Sequence, residues 1–148
     1  MRALLQRVSS AEVVVDNQVV GQCQEGFLIF LGVGQADDRA TAQRLWNKIA
    51  RLRIFADDAG KTNRSLADVG GEVLVVSQFT LYANARKGNR PSFTEAAPAA
   101  LGNELYEYFC ELARRDVGHV GQGVFGADMK VILTNDGPFT IWLDTDAL

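Results

Sequence analysis

The apolar residues of this chain follow two different periods, and the order in which those periods alternate restricts the fold more than any other feature. Ala3 to Val8 reads as a short apolar strand. Glu12 to Val15 and Val19 to Cys23 are β-branched runs around Asp16-Asn17-Gln18, a hairpin turn signal. Gly26 to Val33 is apolar on both faces, as a central strand is. The period then changes. From an N-cap at Asp37 or Asp38, apolar residues recur at Ala42, Leu45, Trp46, Ile49 and Leu52, which predicts a helix ending near Arg53. Phe55 to Gly71 is polar and loop-like, and Glu72 to Leu81, centred on Val73-Leu74-Val75-Val76, is the strongest strand signal. Asn84 to Pro91 is a basic, glycine-containing loop. Thr94 is a good N-cap with Glu95 close behind, and Pro98 falls in the first turn, where a missing N–H is tolerated. Leu101, Leu105, Tyr108, Phe109 and Leu112 form the second helical stripe, which stops before Gly118. Val120 to Phe125, Met129 to Thr134 and Phe139 to Leu143 are again strand-like. The order ββββ-α-β-α-βββ, with hairpin-length connections, predicts an α+β fold: mixed or antiparallel, barrel-like sheets with two packed helices.

The length of 148 residues predicts one domain spanning 1–148. With 47% hydrophobic and 22% charged residues, disorder, collagen and coiled coil are excluded on composition. No apolar run approaches the roughly 20 residues that span a bilayer; the longest, Phe27 to Val33, is broken by Gly32. The opening Met1-Arg2-Ala3-Leu4 runs straight into Gln6 and Arg7, which predicts no signal peptide. Cys23 and Cys110 lie far apart in apolar segments, the pattern of reduced core thiols in a cytoplasmic protein. A net charge of −3 weighs against a non-specific nucleic-acid binder, so any nucleic-acid contact has to use a local patch.

Two segments carry most of the chemistry. Ser77-Gln78-Phe79-Thr80-Leu81-Tyr82 ends an apolar strand with hydroxyls and an amide. Burying these unpaired would cost about 1–3 kcal/mol each. They either satisfy neighbouring backbone as the strand ends or face a cavity. Thr134-Asn135-Asp136-Gly137-Pro138-Phe139-Thr140 places a Gly-Pro pair between two strand-like runs. It is either an ordinary turn or, because proline makes a cis bond cheap, a way to present two main-chain carbonyls in one direction. Arg86, Lys87 and Arg90 are the densest basic cluster, either a solvated loop or a holder of phosphate backbone. His119 is the only histidine and has no nucleophile near it in sequence. There is no Cys/His cluster with metal spacing, no Walker-type loop and no HExxH, so the sequence predicts no metal site.

Taken together, Ser77-Gln78-Phe79-Thr80-Leu81 matches an SQxxL motif and Asn135 to Thr140 matches an NxGPxT motif. At this spacing the pair resembles the bacterial D-aminoacyl-tRNA deacylase family. The resemblance extends to Met1 through Val8, to Gly88-Asn89-Arg90-Pro91-Ser92-Phe93 and to Gly123 through Met129. It implies a homodimer with the active site at the subunit interface and no metal or organic cofactor. Ser77, Gln78, Phe79 and Thr80 map onto the catalytic pocket, with Phe125 and Met129 as neighbours. Gly137 and Pro138 map onto a Gly-cisPro element that reaches into the partner's pocket and rejects L-amino acids. The implied substrates are D-aminoacyl-tRNAs, and glycyl-tRNA mischarged on the alanine tRNA. The residues leave two routes to ester hydrolysis open: attack by Thr80, or positioning alone, with backbone N–H groups near Phe79 and Thr80 holding the oxyanion and the ribose 2′-OH helping water. No base is evident beside Thr80, which favours the second. The rival readings are an RNA-binding module without catalysis and a small-molecule hydrolase or isomerase; the latter would need His119 or a carboxylate as its base.

Overall fold

The computed structural model describes residues 1–148, the side chain of Pro138 excepted. The chain opens with one 14-residue strand, β1 (Arg2–Val15), where two were expected. Ala3 and Leu5 face one apolar core and Val8, Ala11 and Val13 face a second. Alternation puts Val8 on the face opposite Ala3 and Leu5. Staying on that face from Val8 to Ala11 takes one extra residue, which a bulge between Val8 and Ser10 supplies. A turn through Asp16 and Asn17, both at positive φ, leads into β2 (Gln18–Cys23). β3 (Gly26–Gly32) follows, buried on both faces except at Phe30.

Asp38 caps the first helix, α1 (Arg39–Ala50), by accepting from the Thr41 N–H at 2.8 Å. The helix buries Ala42, Leu45, Trp46 and Ile49 and ends short of Arg53. The polar stretch after it is not wholly loop. It contains a small hairpin, β4 (Phe55–Ala56) with β5 (Thr62–Arg64), turned by Asp57, whose carboxylate accepts from the Ala59 and Lys61 N–H groups. The strand β6 (Glu72–Ser77) is shorter than its apolar pattern. The Gln78 N–H still reaches the Leu31 carbonyl, but the chain then tightens into a 3₁₀ turn, Phe79–Tyr82, with i+3 bonds from Leu81 to Gln78 and from Ala83 to Thr80. The second helix, α2 (Ala99–Asp116), starts five residues after Thr94. The segment before it is tied to the end of β3 by the Ala97 N–H to the Val33 carbonyl, and Pro98 is still extended (φ −55°, ψ 151°), so Pro98 is the N-cap. β7 (Val120–Gln122) is shorter than expected. β8 (Lys130–Asp144) joins the last two predicted strands into one.

The main sheet has the order β2-β1-β3-β6-β7, with β8 antiparallel along the other side of β1. β3, β6 and β7 run parallel, so both helices lie in crossovers between them. The two ends of the path meet. β2 and β7 approach so closely at Gly21 and Gly121 that a Cβ at either would collide with the backbone of Gln122 or Gln22. This nearly closes a barrel-like sheet, as expected. The larger core lies between the sheet and the helices, where Trp46 meets Phe109 edge-on at 5.6 Å and donates its indole N–H to Asp116. Each such large side chain contributes about 1.5–3 kcal/mol by its burial. The smaller core, around Val8, Leu28, Leu74 and Val76, lies on the other face of the sheet. No helix among the described residues is long and apolar enough to cross a membrane.

Candidate active site

The end of β6 opens into a cleft of about 880 Å³. Ser77, Gln78 and Phe79 form one wall, and Phe125, Met129 and Val131 another. Phe93 closes a third side, packed edge-on against Phe79 at 5.2 Å. Phe79 remains 56% exposed, an apolar ring held at the mouth with no protein covering it. The walls are braced from below. Tyr106 of α2 donates its hydroxyl to the Val75 carbonyl at 2.9 Å, and the Gly123 N–H reaches the same carbonyl at 3.0 Å. Phe125 lies over Gly102 of α2, within ordinary van der Waals reach of a Cβ built there. Burial drives the Tyr106 hydroxyl well above its ordinary range, so it serves as a neutral donor.

The 3₁₀ turn leaves two groups free. Among the described residues, the N–H groups of Phe79 and Thr80 have no backbone or side-chain acceptor. They are the first donors of the turn, which its own i+3 bonds cannot use. Thr80 does not line the cleft; its hydroxyl accepts from the Gln78 side-chain amide. No base touches it. Asp128 is the one ionisable residue on the cleft lining, and it is exposed. His119 lies elsewhere, with Nε2 2.8 Å from the Gln22 carbonyl at the barrel seam. Both thiols are buried, and burial pushes Cys23 and Cys110 up to about 12, far from a reactive thiolate. Among the described residues no three His, Cys, Asp or Glu side chains converge as a metal cage.

Gly137 sits outside this cleft, exposed, in an outward loop of β8. Pairing runs from Thr140 opposite Gln6 to Asn135 opposite Val8, so β8 spends five steps where β1 spends two. Asn135 closes the base of the loop by donating to the carbonyls of Arg7 and Phe139 at 2.9 and 3.2 Å. Arg7 clamps it from the side. Its guanidinium pairs with Asp136 at 3.0 Å, donates to the Ile54 carbonyl at 2.6 Å and lies 4.2 Å from the centre of the Phe139 ring. The sequence reading singled out neither Arg7 nor Asn135 for this role. The side chain of Pro138, and the cis bond expected before it, lie outside the described residues. Arg86, Lys87 and Arg90 are all exposed on a loop pinched by the Asn84–Ser92 bridge, just ahead of Phe93. Ser77, Gln78, Phe79, Phe125 and Met129 thus come together within the chain, whereas Gly137 does not join them there.

Residues 4–144 match the family model for D-Tyr-tRNA(Tyr) deacylase. The chain belongs to the D-aminoacyl-tRNA deacylase family. It is therefore a hydrolase. A D-aminoacyl-tRNA deacylase of Thermomicrobium roseum is 58% identical over 148 residues, covering 100% of this chain and 96% of that one. One from Thermotoga petrophila is 53% identical, covering 100% and 99%. Among solved structures, a c-Myc DNA unwinding element binding protein superposes with a TM-score of 0.91 at 37% identity, over 97% of this chain and 98% of the other. A structure described as a probable eukaryotic D-amino acid tRNA deacylase shares the fold at a TM-score of 0.85 and 18% identity, over 96% and 97%. The SQxxL segment of this deacylase-family chain forms one wall of its cleft.

Proposed function

We propose that residues 1–148 act as a single catalytic domain that hydrolyses the ester between a D-amino acid and the 3′ end of tRNA, releasing both. The observation that carries this reading is the pair of free N–H groups at Phe79 and Thr80 beside an apolar cleft with no base next to Thr80. An aminoacyl ester is already activated. Water adds to its carbonyl carbon, the two N–H groups hold the oxyanion, and the ribose oxygen leaves with a proton. The terminal 2′-OH, held close by the ester itself, helps to activate that water. Thr80, oriented by Gln78, supports the turn and is not the nucleophile.

Selectivity comes from Gly137 and Pro138. In a homodimer the β8 loop of one subunit enters the cleft of the other. Its carbonyls accept from the substrate ammonium and occupy the space an L side chain needs. Support comes from the exposed, clamped loop in each protomer and from the uncovered Phe79 at the cleft mouth. Main-chain atoms exclude without reading a side chain, so many D-residues pass, and so does glycine on the alanine tRNA. Arg86, Lys87 and Arg90 hold tRNA phosphates beside the cleft, and the enzyme works in the cytoplasm. D- and L-tyrosyl-tRNA separate the alternatives. The expected result is cleavage of the D-ester with the L-ester spared. Binding without cleavage of either would make the protein an RNA-binding module, and equal cleavage of both would end the account of chirality.

A further inference from the structure

A second basic surface lies away from the cleft. Arg44, Lys48 and Arg51 fall on one stripe of α1, opposite its buried face, and with Arg53 they line a groove of about 490 Å³. All four are exposed, and among the described residues none is in an ion pair. Two of them are fixed in place by neutral oxygens. Arg44 donates to the Thr145 carbonyl at 3.0 Å, and Arg53 donates to the Asn63 carbonyl at 2.8 Å and to the Asn63 side chain. No Asp or Glu side chain lines the groove, though Leu148, the last residue, lies at its edge. A cation at the C-terminal end of a helix complements the helix dipole, which accounts for Lys48 and for the C-cap Arg51 but not for Arg44 or Arg53. In a chain of net charge −3, four of its 15 basic residues therefore converge; Asp38 lies within the field of Arg44 and Asp68 within that of Arg53, but neither carboxylate lines the groove. Convergent cations of this kind raise the local positive potential and favour an extended anionic partner.

We infer that this groove binds the phosphate backbone of the tRNA body, beyond the 3′ end that enters the cleft. The inference rests on the tRNA reading above and adds a place on the substrate. α1 begins beside the active-site turn: Asp37, next to its N-cap, reaches the Tyr82 hydroxyl at 3.4 Å. It ends at the groove, and twelve residues of helix rise about 18 Å. The helix thus measures the step from the ester to the double-helical part of the substrate. A phosphate backbone matches fixed guanidinium groups in charge and in geometry.

The test uses uncharged tRNA, so it stands apart from ester hydrolysis. Binding is followed by fluorescence anisotropy between 50 and 200 mM salt for the intact protein and for a Lys48→Gln/Arg51→Gln double variant. Neither side chain carries a packing role, and a melting curve checks the fold. The expected result is a roughly tenfold weaker Kd for the variant at 100 mM salt, with a salt slope shallower by about 1.8, the loss of two counterion-releasing contacts. A single-stranded oligonucleotide of the four 3′-terminal nucleotides should bind both proteins equally. A Lys48→Arg/Arg51→Lys variant, which keeps the charge, should bind tRNA as the intact protein does. An unchanged tRNA slope in the glutamine variant overturns the inference, as does an equal loss of the short oligonucleotide. If poly-glutamate binding were lost while the tRNA slope stayed, the groove would belong to an acidic protein surface instead. A protein that binds tRNA in this way yet cleaves no D-ester would refute the proposed reaction and leave the groove standing.

Discussion

Thr80 is the residue at which two chemistries diverge. Its hydroxyl accepts from Gln78 and meets no base, so Thr80→Ala is expected to keep kcat within about tenfold of the intact protein. Single-turnover hydrolysis of D-tyrosyl-tRNA measures this. A loss of roughly 10⁴ would make the hydroxyl a nucleophile. Carboxylates set a second expectation. Asp38 is held below its ordinary value by the Thr41 hydroxyl and N–H, Asp57 by the Lys61 N–H, and Asp68 by the Ser65 N–H and hydroxyl. At Asp144 burial pushes upward, but the Asp146 N–H and Arg2 outweigh it, and the net shift is down. Each folded value lies below the unfolded one, so the unfolded chain takes up more protons in acid. Stability from these groups is complete above about pH 5 and is lost as pH falls through and below about 4. Melting temperatures should be level from neutral to about pH 5 and drop below about pH 4; a rise on acidification would contradict the assignment.

Among the elements, the basic loop carries its own expectation. Neutralising Arg86, Lys87 and Arg90 together should raise KM several-fold and flatten its salt dependence while kcat holds. Steady-state kinetics at two salt concentrations reads both, and an unchanged slope would leave the loop a solvated turn. The sequence announced elements unevenly. α1 was legible because Asp38 and the 42-45-46-49 spacing agree. The start of α2 was not, because Thr94 looks like a cap whether or not the chain behind it is already tethered to β3. The run through Leu81 also misled. Phe79, Leu81 and Tyr82 look like a continuing strand, yet Tyr82 is buried and Phe79 exposed because the backbone has tightened to three residues per turn. The cleft itself joins segments near residues 77, 93 and 125, and no local period reports such a meeting. Only the family resemblance, through the SQxxL motif and the stretches around Phe93 and Phe125, pointed there. Arg7 went unnoticed because its partners, Ile54 and Asp136, are distant in the chain.

At the scale of the molecule, the chain holds an open cleft and, apart from it, an outward loop of β8. The expected assembly is a homodimer of about 32 kDa, twice 16.2 kDa. Light scattering at micromolar concentration checks it, and a monomer there would separate Gly137 from any cleft. The exposed apolar residues Ile132 and Trp142 of β8 are suited to such a contact, at 53% and 48% exposure.

The β8 loop also has a consequence for how this chain can change. Five steps against two leave a surplus of three residues, and the base is pinched where Asn135 reaches the Phe139 carbonyl. Removing Asp136, Gly137 and Pro138 would leave Thr140 opposite Gln6 and Asn135 opposite Val8, with neither core re-registered. Such a shortened chain should melt within a few degrees of the parent yet lose its D-over-L preference, and paired melting and tyrosyl-tRNA assays would show it. The segment is a graft on a finished ladder. On the proposed account of chirality, lengthening, shortening or replacing it revises what the protein refuses without renegotiating how it folds.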